Sequence, residues 1–222
     1  MALPATIDPT RAPPEQRPRA GLVAAEHGAD RGLLERAAEG CHACDLWARA
    51  THVVFGEGPV PARLMFVGEQ PGDREDRAGK PFVGPAGGIF SKALGEAGID
   101  RETVFVTNVV KHFKWRPVPG SKRRLHERPN KAEVGACLPW VEAELLLVHP
   151  EGLVLLGATA TEALLGSGVS VTRDRGKQLE SDLAPHVVAT VHPSSILRAG
   201  PQRAAAYDAF VADLRAVAEL IA

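Results

Sequence analysis

Cysteine is scarce in this sequence: Cys41, Cys44 and Cys137 are the only three in 222 residues. A small, odd number argues against the disulfide framework of a secreted domain. No apolar run approaches the ~18 residues that a membrane-spanning helix needs. The first residues carry no charged-then-apolar leader, so the expectation is a cytoplasmic protein with no membrane partner. An excess of one charge is also missing. Lys and Arg total 26 against 27 Asp and Glu, for a net charge of -1. That excludes a uniformly basic nucleic-acid binder but leaves room for a local basic patch. Neither GxxxxGK[ST] nor GxGxxG occurs, which removes the common phosphate-cradling loops. There is no internal repeat.

Apolar material is plentiful, at 45% hydrophobic residues, enough for one well-filled core. Residues 1–20 are rich in Pro and Arg and are expected to be a disordered tail. Residues 21–222 are expected to form one domain. Gly21 to Gly40 is expected to be a helix, and Thr51–Phe55 a short hairpin. From Arg63 on, strands and helices alternate. Leu64–Val67, Thr103–Val110, Gly152–Leu156 and Val187–Val191 read as strands. Helices are expected from Gly87 to Ala97, Lys131 to Val148, Thr159 to Leu165 and Pro201 to Ala222. This alternation predicts an α/β fold, a three-layer α/β/α sandwich with a central four-stranded parallel sheet. Four strand ends then meet on one edge: Gly68-Glu69, Asn108–Lys111, Gly157-Ala158 and His192-Pro193-Ser194. Ligands sit at such edges.

Three stretches carry candidate chemistry. After the first strand, Gly68-Glu69-Gln70-Pro71-Gly72 breaks the chain sharply, and the acids Asp73, Glu75 and Asp76 follow in what reads as an acidic loop. Lys111 to Lys131 holds eight Lys or Arg against one acid, Glu127, with Phe113 and Trp115 interleaved. Its prolines argue against regular structure, and its like charges should hold it open unless a polyanion such as DNA phosphate neutralises it. Cys41-His42-Ala43-Cys44 has the spacing for two sulfurs on one metal centre; on spacing alone, metal or cluster binding, redox chemistry and chance all remain open.

Five pieces occur in order: GEQPG (68–72), GKPFVGPAG (79–87), VTNVVK (106–111), LGATA (156–160) and VHPSS (191–195). Together with the C-x-x-C before them and Cys137 between them, they resemble the uracil-DNA glycosylase superfamily, specifically its iron–sulfur family-4 enzymes. Gln70 and the segment Lys122-Arg123-Arg124-Leu125-His126 are further similar to the UdgX branch, whose loop histidine bonds covalently to the sugar left by uracil excision. The resemblance implies a partner, uracil-containing DNA with single strands favoured, a product, free uracil, and a monomer. Phe82 would stack on the extruded base, Asn108 would pair with the uracil edge, and Gly68 and Gly84 would border the pocket. His192 would hydrogen-bond the leaving uracil. Lys122, Arg123, Arg124 and Ser194 would face the DNA backbone. His126 would capture the sugar, with Glu69 orienting it or taking its proton, Gln70 marking the branch, and Asp73 and Asp76 supporting the loop or positioning water.

The chemistry stands beside the name. A base inside a duplex is out of reach until it is flipped or single-stranded. The amide of Asn108 offers both a donor and an acceptor, which distinguishes uracil from cytosine. Cleaving the glycosidic bond leaves negative charge on the base, which a positioned histidine stabilises. A neutral imidazole, with a reference pKa of about 6.5, is a good nucleophile near pH 7. The alternatives are an ordinary family-4 glycosylase that turns over and a non-catalytic DNA-binding module. The resemblance also implies a 4Fe-4S cluster, held by Cys41, Cys44, Cys137 and a fourth cysteine. Leu155 stands where that fourth cysteine is expected, and His149 and His42 are the possible substitutes.

Overall fold

The computed structural model describes residues 30–222. The tail at 1–20 and the first part of the helix expected from Gly21 lie outside the described residues. Within them, a five-stranded sheet is flanked by helices on both faces. Strand β1 (Leu64–Gly68) lies between β2 (Val104–Asn108) and β5 (Gly152–Leu156). Strand β7 (His186–Thr190) continues the parallel set beyond β5. A two-residue strand, β6 (Gln178–Leu179), adds an antiparallel edge, giving the order β2-β1-β5-β7-β6. The expected four parallel strands are therefore present. The added fifth, at only two residues, has no hydrophobic run for sequence reading to find.

The alternation of buried residues sorts the two faces. Met65, Val67, Phe105, Leu153, Leu155, Val187 and Ala189 pack toward α1 (Arg31–Glu39), α4 (Lys131–Val148) and α5 (Ala158–Leu165). Leu64, Phe66, Val104, Val106, Val154, Leu156 and Val188 pack on the other face, where α3 (Pro85–Glu96) and α8 (Arg203–Leu220) contribute Phe90, Leu94, Phe210 and Leu214. Both faces are covered, so the central strands are apolar throughout instead of alternating. No helix among the described residues is long and apolar enough to cross a membrane.

Three expectations fail locally. Thr51–Phe55 is not a hairpin; its chain runs beside the sheet, with Val54 N–H donating to Lys111 O and Glu57 bridging Val106. The acids at 73–76 belong to a helix, α2 (Asp73–Ala78), with Gly72 as N-cap. Carboxylates at the first turn of a helix face unpaired N–H groups and the positive end of its dipole, so three acids among residues 73–76 favour a helix start.

The basic segment is the third. It forms an antiparallel hairpin of β3 (Trp115–Pro117) and β4 (Arg124–His126), in the register Trp115↔His126 and Pro117↔Arg124. Pro117 is tolerated because it ends a short two-stranded ribbon. Nor is the segment held open by its own charge. Lys111 pairs with Glu144 and Lys114 with Glu133. Arg124 places Nε on Asp73 and Nη1 on Asp76 at 2.6 Å, and reaches Thr51 Oγ1 at 3.2 Å. Its guanidinium also lies 5.4 Å from the Phe113 ring centre and 5.3 Å from that of Trp115. The neutralising anions come from elsewhere in the chain, which composition within the segment could not reveal.

Breaking a buried ion pair from one side leaves the other charge stranded, and Asp76 has no solvent exposure. Arg124→Met is therefore expected to cost about 3 kcal/mol of stability in denaturant unfolding. It should also expose the 118–123 turn to limited proteolysis. Adding Asp76→Asn in the same chain should recover part of the loss.

Candidate active site

The carboxyl ends of β1, β2, β5 and β7 converge as their spacing predicts. Gly68 pairs in register with Asn108, and its place is one only glycine can fill. A Cβ there would overlap Asn108 Oδ1 and lie 3.0 Å from Phe82 Cζ and 3.3 Å from His192 Nε2. Four of the candidate residues thus surround a single point. Phe82 reaches it with a backbone φ of +55°, a strained conformation for an aromatic residue. Gly87 permits this, since a Cβ on Gly87 would collide with the Phe82 carbonyl. The Phe82 ring lies 6.1 Å from that of His192, at 26° between planes, and 5.1 Å from Phe90.

His192 N-caps the short helix α7 (Pro193–Leu197). Its Nδ1 accepts the Ser194 N–H at 3.1 Å and pairs with Ser194 Oγ at 2.9 Å. With Nδ1 accepting, the neutral ring carries its proton on Nε2. Burial pushes its pKa down to about 4, outweighing the Glu69 charge that acts to raise it. Ser194 is thus spent on orienting His192. Asn108 is 3% exposed, and its backbone carbonyl accepts Lys111 Nζ at 2.8 Å. The same ammonium bonds Thr107 Oγ1 at 2.6 Å and Glu144 Oε2 at 2.6 Å. Glu144 in turn accepts from Gly56 N at 2.9 Å. Gly84 caps α3, and its N–H donates to Glu75 Oε1 at 2.6 Å. Glu75 Oε2 accepts from Gly72 N at 3.1 Å. One buried carboxylate therefore ties the two loops that flank the pocket.

His126, at the end of β4, is about half exposed and presents Nε2 to Glu69 Oε1 at 3.3 Å. The other carboxylate oxygen of Glu69 accepts from Thr159 Oγ1. Burial pushes the Glu69 pKa up, but the hydrogen bonds from His126 and Thr159 and the nearby His126 and His192 outweigh it, and the net shift is downward. Gln70 gives its amide to the backbone of the basic hairpin. Its Oε1 accepts Lys114 N at 2.8 Å, and its Nε2 donates to Glu127 O at 2.8 Å and Lys114 O at 3.3 Å. It clasps both strands of the hairpin at their base. Asp73 and Asp76 hold Arg124 on the same hairpin, and the Arg124 and Arg77 contacts carry the Asp73 pKa below its usual range against a desolvation that raises it. Lys122 and Arg123 lie exposed on the turn.

The cysteines are all free, Cys41 and Cys137 buried and Cys44 half-buried. Cys137 Sγ accepts Lys111 N–H at 3.1 Å and Cys41 Sγ accepts Trp140 Nε1–H at 3.3 Å. Burial pushes the Cys137 thiol up to about 12, and raises Cys44. Among the described residues no three His, Cys, Asp or Glu side chains are gathered closely enough for one metal ion. The donor set does fit a larger thiolate-bound group: buried sulfurs already accepting N–H bonds suit thiolates whose charge a cluster's iron neutralises. Leu155 is not where its fourth ligand would come from. It is fully buried mid-strand between Val67 and Ala189. His149 caps the far end of α4, twelve residues or about 18 Å of helix beyond Cys137. His112 adjoins Lys111, is 6% exposed, and has no hydrogen-bond partner among the described residues. With Cys41 and His42 it lines a cavity of about 120 Å³. His42 itself is exposed and stacked on Trp47, with ring centres 4.0 Å apart.

Sequence reading missed His112, Glu75 and Thr159. His112 follows the VTNVVK piece directly, and that adjacency was the available signal. Glu75 and Thr159 act on backbone or on another side chain, so nothing in their spacing marks them.

Residues 55–215 match the model of the uracil DNA glycosylase superfamily. The chain is 41% identical over 159 residues to a type-4 uracil-DNA glycosylase of Thermotoga maritima, covering 71% of this chain and 78% of the relative. It is 36% identical over 167 residues to one of Sulfurisphaera tokodaii, covering 71% of each. It is 26% identical over 155 residues to a type-5 uracil-DNA glycosylase of Pyrobaculum aerophilum, covering 63% of this chain and 64% of the relative. With a matched span that takes in every strand of the sheet and the whole converging edge, the chain belongs to the uracil-DNA glycosylase superfamily.

Proposed function

We propose that this protein excises uracil from DNA and then bonds its own His126 to the sugar that remains, as in the UdgX branch it resembles. The type-4 relatives support uracil excision. The observation that supports self-capture is His126 Nε2 facing Glu69 Oε1 at 3.3 Å, on a hairpin anchored by Arg124 and Gln70.

An extruded uracil stacks on Phe82 and pairs with the Asn108 amide; cytosine, with an amino group in place of a carbonyl, does not match it. As the C1′–N1 bond breaks, its electron pair leaves with the base. The Nε2–H of neutral His192 donates to the developing uracil anion, in a pocket where burial strengthens that bond. The sugar becomes a cation at C1′. Glu69 takes the Nε2 proton of His126, and the freed nitrogen pair closes on C1′. An N-alkylated imidazole is a poor leaving group, so the protein remains attached. Exposed Lys122 and Arg123 contact phosphate. Single-stranded substrate is favoured because the base needs no unpairing.

An iron–sulfur cluster fits Cys41, Cys44 and Cys137, with His112 in the place expected of Leu155. It would cross-link the segment before β1 to the end of β2 and to α4, a structural function.

Incubation with a uracil-containing single-stranded oligonucleotide, boiling in detergent and a denaturing gel test the reading. A slow band is expected with parent protein and absent with a thymine control or with His126→Ala. Strand cleavage after alkali without that band means a glycosylase that turns over, and overturns self-capture. Burial lowers the His192 pKa to about 4, and protonation of Nδ1 below it would displace the Ser194 N–H that orients the ring. A group with its pKa lowered stays neutral until pH falls through the lowered value, so uracil release by His126→Ala should hold down to about pH 5. A fall centred near 6.5 would mean that burial does not hold the His192 ring neutral. His112→Ala is expected to lower iron content and the visible absorbance of the purified protein, while Leu155→Cys leaves both unchanged.

A further inference from the structure

We infer that Thr159 is a positioning residue for the capture step, fixing the Glu69 carboxylate so that one oxygen is left for His126; the inference rests on the self-capture reading above. Three contacts carry it. Arg128 Nε donates to Thr159 Oγ1 at 3.1 Å. Thr159 Oγ1 donates to Glu69 Oε2. Glu69 Oε1 faces His126 Nε2 at 3.3 Å. A hydroxyl has one proton and can both accept and donate. With the guanidinium N–H filling an acceptor site, its proton is directed at Glu69. The carboxylate then cannot rotate without losing a hydrogen bond to a charged group, the stronger kind.

The local chain explains why a side chain is available there. Gly157 turns off β5 at φ +92°, and Thr159 follows in the first turn of α5, 7% exposed. Arg128 lies two residues beyond His126 and also approaches Glu162 on α5 at 3.8 Å. The strand that delivers the nucleophile and the helix that holds its base are thus linked through one hydroxyl. Thr159 touches neither base nor sugar in this scheme. Its effect should fall on capture more than on excision, where His192, Asn108 and Phe82 act.

The test separates the two steps in a single time course, following free uracil and detergent-stable adduct together. Thr159→Val, close in size but without the hydroxyl, is expected to slow adduct formation about tenfold more than uracil release, the scale of one lost charged hydrogen bond. Alkali-labile sites should accumulate in between. Thr159→Ser keeps the donor and should restore the parent ratio. Loss of the donor also raises the Glu69 pKa toward its ordinary value, with His126 and His192 the other titratable groups acting on it. The acid limb of capture should therefore move to higher pH in Thr159→Val. Arg128→Met, at a side chain that is mostly exposed, should shift the ratio the same way by less. If Thr159→Val slows both steps equally, or matches Thr159→Ser, the positioning role is overturned. If the parent forms no His126-dependent adduct, the self-capture reading fails and takes this inference with it.

Discussion

A guanidinium set against two carboxylates decides where the hairpin that carries His126 lies. Arg124 spans Asp73 and Asp76, and Asp76 also accepts Thr51 N–H at 2.8 Å. The hairpin has only three residues in each strand, too few to stand alone in water. Planar bidentate geometry makes arginine better suited than lysine to such a pair. The aromatic rings of Phe113 and Trp115 shield the contact from water, which strengthens it. Gln70 then sets the hairpin's base by hydrogen bonds to backbone on both strands. A ribbon anchored by charge at its tip side and by an amide at its root holds His126 over Glu69.

A second buried pair governs the pocket wall. Lys111 and Glu144 are 1% and 0% exposed in their side chains, and such a pair survives only where every polar atom finds a partner. Here Thr107, Gly56 and the Asn108 carbonyl supply them. The same residue gives its N–H to Cys137. Lys111 therefore joins the cysteine side of the molecule to the backbone of Asn108 at the end of β2. An iron–sulfur cluster at that place would stiffen the pocket without entering the chemistry.

The two histidines divide the labour by environment. His192 is partly buried, its pKa lowered by desolvation, and it is oriented by Ser194 so that Nε2–H faces the pocket. His126 is half exposed on a ribbon and depends on Glu69 for direction. In the proposed scheme one would stabilise charge on the leaving base and the other would meet charge on the sugar, two roles that call for two such different environments.

By itself the sequence determined the layered α/β fold, because apolar strands alternating with amphipathic helices have few ways to bury themselves. It also determined which residues crowd the strand ends, since strand carboxyl ends in a parallel sheet face one edge whatever the details. Gly68, Asn108 and His192 were legible for that reason, and Phe82 through the resemblance of its GKPFVGPAG stretch. The tertiary structure alone decided the rest. The basic segment reads as an open loop until Asp73 and Asp76, 51 and 48 residues from Arg124, close it into a ribbon. Gln70 reads as a site residue until its amide is seen occupied by backbone. Leu155 reads as a missing ligand until it is found in mid-sheet, with His112 beside the cysteines instead. In each case the deciding contact joins residues distant in the chain, and pairing across such distances leaves no local pattern to read.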